Sequence, residues 1–101
     1  MPMRNKKITK SSQGAACTLN IAGICNYNPE TTVYCHLPDG NGGMGMKSTD
    51  LSGCDGCSSC HDVLDGRAKS EEFDSHKEFY MRRALTRTLE RLFSEGVLRV
   101  A

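Results

Sequence analysis

The 101-residue sequence predicts a small α+β domain: a short pair of strands, a cysteine knuckle running into a short helix, and a longer packing helix at the C-terminus. Three observations predict it. Residues 31–37, TTVYCHL, are rich in β-branched and aromatic types and read as a strand. Residues 54–66, CDGCSSCHDVLDG, read as a knuckle continuing into a helix that stops at Gly66. From Met81 to Phe93 the apolar residues recur at helical spacing.

Taken in order, residues 1–12 are basic and read as a flexible arm. A moderately apolar stretch follows, in which seven residues separate Cys17 and Cys25, a spacing that suits a loop or short hairpin presenting two thiolates together. Asn26–Glu30, with Pro29, form a turn. In the strand, alternation places Val33, Cys35 and Leu37 on one face and Thr32, Tyr34 and His36 on the other. Pro38, Asp39 and Gly40 close it. The glycine-rich NGGMGMKST that follows has Met46 where a phosphate-binding loop requires glycine before Lys-Ser, so it reads as a connecting loop. Residues 67–74 read as a charged connector. Ser75 and Glu78 then match a capping box, opening a helix over 75–96 that Gly96 ends. Met81, Leu85, Leu89 and Leu92, flanked by Ala84, Thr88 and Phe93, form its apolar stripe. That stripe suits intramolecular packing or a dimer, which leaves monomer and dimer both open.

A chain of this length with three Phe, three Tyr and no Trp has a modest core, and six cysteines are the obvious staples. The N-terminal stretch lacks the apolar core of a signal peptide, and no run approaches a membrane span. The expected compartment is therefore the reducing cytoplasm, where clustered cysteines interleaved with histidines are metal ligands rather than cystines. A structural zinc takes four soft ligands. Cys57 and Cys60 are one pair, and Cys17 and Cys25, in or beside loops, are the better second pair. Cys35, inside the strand, reads as a small buried hydrophobe. Cys54 is open, since CDGC is itself a C-x-x-C. Redox chemistry at C-x-x-C is disfavoured because a βαβ context is missing.

The net charge of +1 is unevenly spread. Arg4, Lys6, Lys7 and Lys10 lie in an acid-free N-terminus, and Arg82, Arg83, Arg87 and Arg91 lie on the C-terminal helix. Glu78–Arg82 and Arg91–Glu95 have ion-pair spacing, which leaves a small cationic surplus suited to a polyanion or simply to a solvated helix face. With four cysteines on zinc, His61 is released from structural duty, and Asp65 stands one turn away to orient it. His36 ends the strand. His76 falls in the expected capping turn and reads as structural.

A strand ending in histidine, a loop, and C-x-x-C-H opening a helix resemble the HNH (ββα-metal) nucleases over residues 15–67. The run NPETTV..H with C..CHD..DGR is more closely similar to the small YbcO-like nucleases of lambdoid prophages. The resemblance implies an HNH-like ββα-metal core with a structural zinc on Cys17, Cys25, Cys57 and Cys60. It implies that His36 is the general base activating water and His61 a ligand of a catalytic divalent cation, Mg²⁺ or similar. The substrate would be nucleic acid, most simply DNA in a bacterial host cell, cleaved to 5′-phosphate products. Two positions depart from the HNH pattern. Cys35 stands where a second metal ligand often precedes the first histidine, and the middle asparagine has only Asp50 or Ser52 as candidates; Asp50 is the carboxylate of the expected catalytic set. The alternative is a zinc-stapled nucleic-acid-binding phage accessory protein with the fold but without the activity.

Overall fold

The computed structural model describes residues 3–38 and 49–99. Most of the glycine-rich stretch, 41–48, therefore falls outside the described residues. Helix α1 (Lys6–Lys10) is followed by a 3₁₀ turn (Pro29–Thr31), strands β1 (Val33–His36) and β2 (Gly53–Gly56), and helices α2 (Ser58–Leu64), α3 (Glu71–Ser75) and α4 (Lys77–Ser94). The strands pair antiparallel, with Val33 opposite Gly56, Tyr34 opposite Asp55, Cys35 opposite Cys54 and His36 opposite Gly53. The result is a small α+β architecture of one two-stranded sheet and four helices among the described residues.

The N-terminus is not an arm throughout. Asn5 is extended and its side chain accepts hydrogen bonds from the Lys7 and Ile8 amides, which starts α1. Ile8 is fully buried, as is Ser12 just beyond the helix. A basic composition concealed one apolar anchor and one cap.

β2 is buried along its whole length. One edge pairs with β1; on its other side the Thr18 and Leu19 amides donate to the Asp55 carbonyl at 2.8 and 3.3 Å. Thr18 Oγ1 accepts from the Asp55 amide at 3.0 Å and lies 2.8 Å from Thr88 Oγ1 on α4. The Asp55 side chain has no exposed surface and meets Arg91 of α4 in a two-pronged pair, Nε–Oδ2 2.7 Å and Nη2–Oδ1 2.9 Å. Ser12 Oγ donates to Oδ1 at 2.6 Å, and Arg91 also reaches Ser11, through its carbonyl and hydroxyl oxygens. Parallel guanidinium–carboxylate bonds of this kind are among the stronger polar contacts in proteins. Here one pair ties α1, β2 and α4 together.

That seam rotates α4 away from its greasiest face. The buried residues are Tyr80, Ala84, Thr88 and Leu92, whereas Met81, Leu85 and Leu89 are half-buried and Phe93 is exposed. Leu92 and the flanking Ala84 and Thr88 are buried as expected, but Tyr80 joins them in place of Met81, Leu85 and Leu89, because Thr88 and Arg91 must face Asp55. Arg83 is committed within the fold as well. Its Nη2 donates to the Leu19 and Asn20 carbonyls, both at 3.1 Å, and its guanidinium lies over the rings of Phe79 and Tyr80. Arg91–Glu95 forms at 2.8 Å, but Glu78–Arg82 is not an ion pair.

The capping box at Ser75–Glu78 does not form. Ser70 caps α3 instead, accepting from the Phe73 amide at 3.1 Å, and Ser75 becomes the last residue of that helix. His76 breaks the chain direction and caps nothing with its side chain. The reason lies in Phe73, which is buried against Tyr80, while the Tyr80 hydroxyl donates to Glu72 at 2.6 Å. Burying that ring draws residues 71–75 into a turn of their own. The other ends match the sequence: Gly66 and Gly96 take positive φ after α2 and α4.

Arg91→Met keeps the aliphatic stem but strands a carboxylate with no exposure. Urea unfolding should show a loss of about 3–5 kcal/mol. Glu95→Gln, on the half-exposed side of the same arginine, should lose less than about 1 kcal/mol.

Candidate metal centre and histidine pair

Four cysteines converge from two segments. Cys57 is the N-cap of α2 and Cys60 lies in its first turn, so the helix start sets their spacing. Cys17 and Cys25 flank a loop tightened by the Ile24 and Cys25 amides, both donating to the Ile21 carbonyl at 3.0 Å. One sulfur from each of the four lies within 4.8 Å of the other three. Cys25 and Cys57 sulfurs are 3.9 Å apart, close to the edge of about 3.8 Å for a tetrahedron with Zn–S of about 2.3 Å. Backbone amides point at the sulfurs: Asn20 at Cys17 (3.3 Å), Ile21 at Cys60 and Asn26 at Cys57 (both 3.5 Å), and Cys60 at Cys57 (3.4 Å).

The hydrogen bond from Cys60 pulls the Cys17 thiol down to about 5, against the upward push of burial. Burial raises Cys25 to about 11, and the bond to Cys17 raises Cys60. The group thus favours a thiolate among close sulfurs, a charge and donor set that suit zinc. Among the described residues it is the sole group of three or more His, Cys, Asp or Glu side chains gathered so closely. Cys35 and Cys54 lie outside it, facing each other across the ladder and buried. CDGC therefore contributes Cys57, not Cys54, to the quartet.

His36 and Asp50 meet at the end of β1, with Nε2 2.7 Å from Oδ1. The ring is about one-third exposed, whereas the carboxylate is nearly covered. The Asn5 amide donates to Asp50 Oδ2 at 2.6 Å, and Arg4 Nη1 stands 3.3 Å from Oδ1. Burial alone would raise the Asp50 carboxyl, but the bonds from His36 and Asn5, with Arg4, hold it below its ordinary value. Tyr34 holds the pair from behind. Its hydroxyl donates to the Asp50 carbonyl at 2.6 Å, and its ring meets the imidazole edge-on at 5.5 Å between centroids. A Cβ on Gly53, opposite His36, would collide with the hydroxyl end of the Tyr34 ring, so glycine makes this arrangement possible. Ser52, the other candidate for the middle motif position, instead closes the ladder, its hydroxyl and carbonyl both bonding to Leu37.

His61, on α2 next to Cys60, pairs with Asp65 as its spacing suggests, Nε2–Oδ2 2.9 Å. Arg67 bridges Asp65 and Asp62 at 3.1 and 3.0 Å, which accounts for Asp62. Each histidine thus has its own carboxylate, and no described hydrogen bond or ion pair joins the two. Sequence reasoning missed Arg4, Asn5 and Tyr34. The signal for Asn5 was its place as a cap before KKITK, and that for Tyr34 was the strand face it shares with His36; Arg4 carried none.

The profile of the family described as "Putative nuclease YbcO" matches residues 6–97. The chain belongs to the YbcO family. "Putative nuclease YbcO" of Escherichia coli (strain K12) is 36% identical over 93 residues, spanning 91% of this chain and 96% of the relative. The YbcO protein of Enterobacteria phage 82, described in the same words, aligns with the same identity and coverage. A solved structure similar to this YbcO-family chain, described as "Structure of a putative bacteriophage protein from Escherichia coli str. K-12 substr. MG1655", has a TM-score of 0.72 at 32% identity, covering 88% of this chain and 99% of that one. YbcO relatives thus occur in a bacterium and a phage. Among the described residues no helix is long and apolar enough to cross a membrane.

Native mass spectrometry should find one zinc per chain. Cys17→Ser and Cys60→Ser should each lose it, and Cys35→Ser should retain it.

Proposed function

We propose that the protein is a metal-dependent endonuclease of HNH type that hydrolyses DNA phosphodiester bonds and is encoded by a prophage. The observation that carries this reading is the His36–Asp50 pair at 2.7 Å, a part-exposed imidazole held by a covered carboxylate at the end of the ladder. Family membership supports the nuclease class.

In this reading Asp50, held by Asn5 and Arg4, orients His36, and the imidazole takes the proton from the attacking water. The oxygen formed attacks phosphorus, the bond to the 3′ oxygen breaks, and a 5′-phosphate remains. His61, steadied by Asp65 and by its place beside Cys60, is the ligand of the catalytic cation. An imidazole and one carboxylate suit a divalent ion that keeps much of its coordination as water. When bound, such an ion would supply positive charge beside the scissile phosphate and the departing oxygen. The zinc quartet has no part in the chemistry and fixes the start of α2.

A second reading, a zinc-stapled DNA-binding protein without activity, is favoured by Cys35. It is buried and faces Cys54, so that motif position offers no ligand beside His36. Incubation with supercoiled plasmid and Mg²⁺, Mn²⁺ or Ni²⁺ separates the two. Nicking by the native protein should fall by about 10²–10⁴-fold in His36→Ala and be lost in His61→Ala. Nicking that persists in both variants would overturn the assignment, and binding without nicking would favour the second reading.

A further inference from the structure

Two of the four arginines of α4 are committed: Arg83 to two backbone carbonyls, and Arg91 to Asp55 and Glu95. The cations of α1 are not. Lys7 and Lys10 join Arg99 in lining a cleft of about 840 Å³ between α1 and the chain beyond α4, completed by Ser11, Glu95, Gly96 and Val97. None of the three cations has an ion-pair partner among the described residues, and the one acid there, Glu95, is held by Arg91 at 2.8 Å. The three cations converge on an open cleft whose single carboxylate is neutralised, so the local field is positive.

The position of the cleft adds to its charge. Residues 3–5 are fastened to Asp50, through the Asp50 amide to the Met3 carbonyl (2.8 Å) and the Asn5 amide to the Asp50 carboxylate (2.6 Å). Asn5 in turn caps α1. One short, hydrogen-bonded segment therefore leads from the His36–Asp50 pair to the basic cleft. Among the described residues the cleft lining also holds no aromatic side chain. Single strands are held by stacking bases on aromatic rings, whereas a duplex backbone is held by charge alone.

We infer that α1 and the Lys7–Lys10–Arg99 cleft form a docking surface for the phosphate backbone of duplex DNA, positioning it relative to His36. The inference rests on the nuclease reading for its purpose, but it is tested by binding alone, without divalent metal beyond the structural zinc. Anisotropy of a short fluorescent duplex is followed across a salt series for the native protein and for Lys7→Gln/Lys10→Gln. Both lysines are on or near the surface, and a Lys7→Arg/Lys10→Arg variant keeps the charge as a folding and charge control. The native plot of log K against log salt should be steep. The glutamine variant should lower its slope by about 1.8, or about 0.9 for each phosphate no longer neutralised, and the arginine variant should restore it.

An unchanged slope in the glutamine variant would overturn the inference. So would an equal or larger drop in Arg82→Gln/Arg87→Gln on α4, or tighter binding of the matching single strand. Native protein that binds the duplex with this dependence yet nicks no plasmid would uphold the surface while sinking the nuclease reading. Nicking without salt-dependent binding through these lysines would do the reverse.

Discussion

Asp55 carries a carboxylate into a place with no solvent contact, and the surrounding chain is arranged to receive it. Arg91 supplies the opposite charge through two parallel bonds, Ser12 a third, and Thr18 and Thr88 bond to the Asp55 backbone. An apolar pair of similar volume could be as stabilising, because burying ions carries a large desolvation penalty. What the pair contributes is register. It fixes which face of α4 meets β2, and it brings α1 against the C-terminal half of α4 through Ser11. With only a small aromatic core available, directional contacts specify what shape complementarity cannot.

Residues 54–57 show how closely these demands are packed. Cys54 faces Cys35, Asp55 anchors α1 and α4, and Cys57 supplies a sulfur to the quartet and caps α2. Gly56 lies between them because a Cβ there would stand 2.7 Å from the Cys35 sulfur and 3.1 Å from Leu19. The cysteine group and the ion pair are therefore neighbours along one short stretch of chain. Structural zinc sites carry about 10–16 kcal/mol of apparent binding free energy, comparable to the whole stability of a typical domain, about 5–15 kcal/mol.

The elements legible in the sequence were those set by local chemistry: the strand at Val33–His36, the C-x-x-C helix start, the glycine stops at Gly66 and Gly96, and the His61–Asp65 spacing. Pairing Cys17 and Cys25 with Cys57 and Cys60 also followed, since loop cysteines are free to converge while Cys35 is tied to a ladder. The failures come from contacts distant in sequence. The rotation of α4 depends on Asp55–Arg91, a pairing of residues 36 positions apart that no local pattern announces, and the anchoring of residues 3–5 before α1 depends on Asp50. The misplaced capping box is similar in kind, since Ser70 and Ser75 offer comparable caps and the burial of Phe73 selects the first.

The two histidines are held by separate anchors, and this bears on how a site could be assembled. His36 is fixed by the ladder, by Tyr34, and by Asp50 fastened to residues 3–5. His61 is fixed by its place beside Cys60 and hence by the sulfur quartet. Neither anchor includes the other, so the relation between the histidines depends on the β1–β2 ladder that connects them. That ladder is four residue pairs long, and an isolated hairpin of this size is marginal in water. Here it is clamped at the Gly56 end by the cysteine group and on its outer edge by Thr18. At the His36 end Ser52 and Leu37 close it through their backbones. A short strand pair can hold two side chains in register only when both ends are clamped, and both are clamped in this chain.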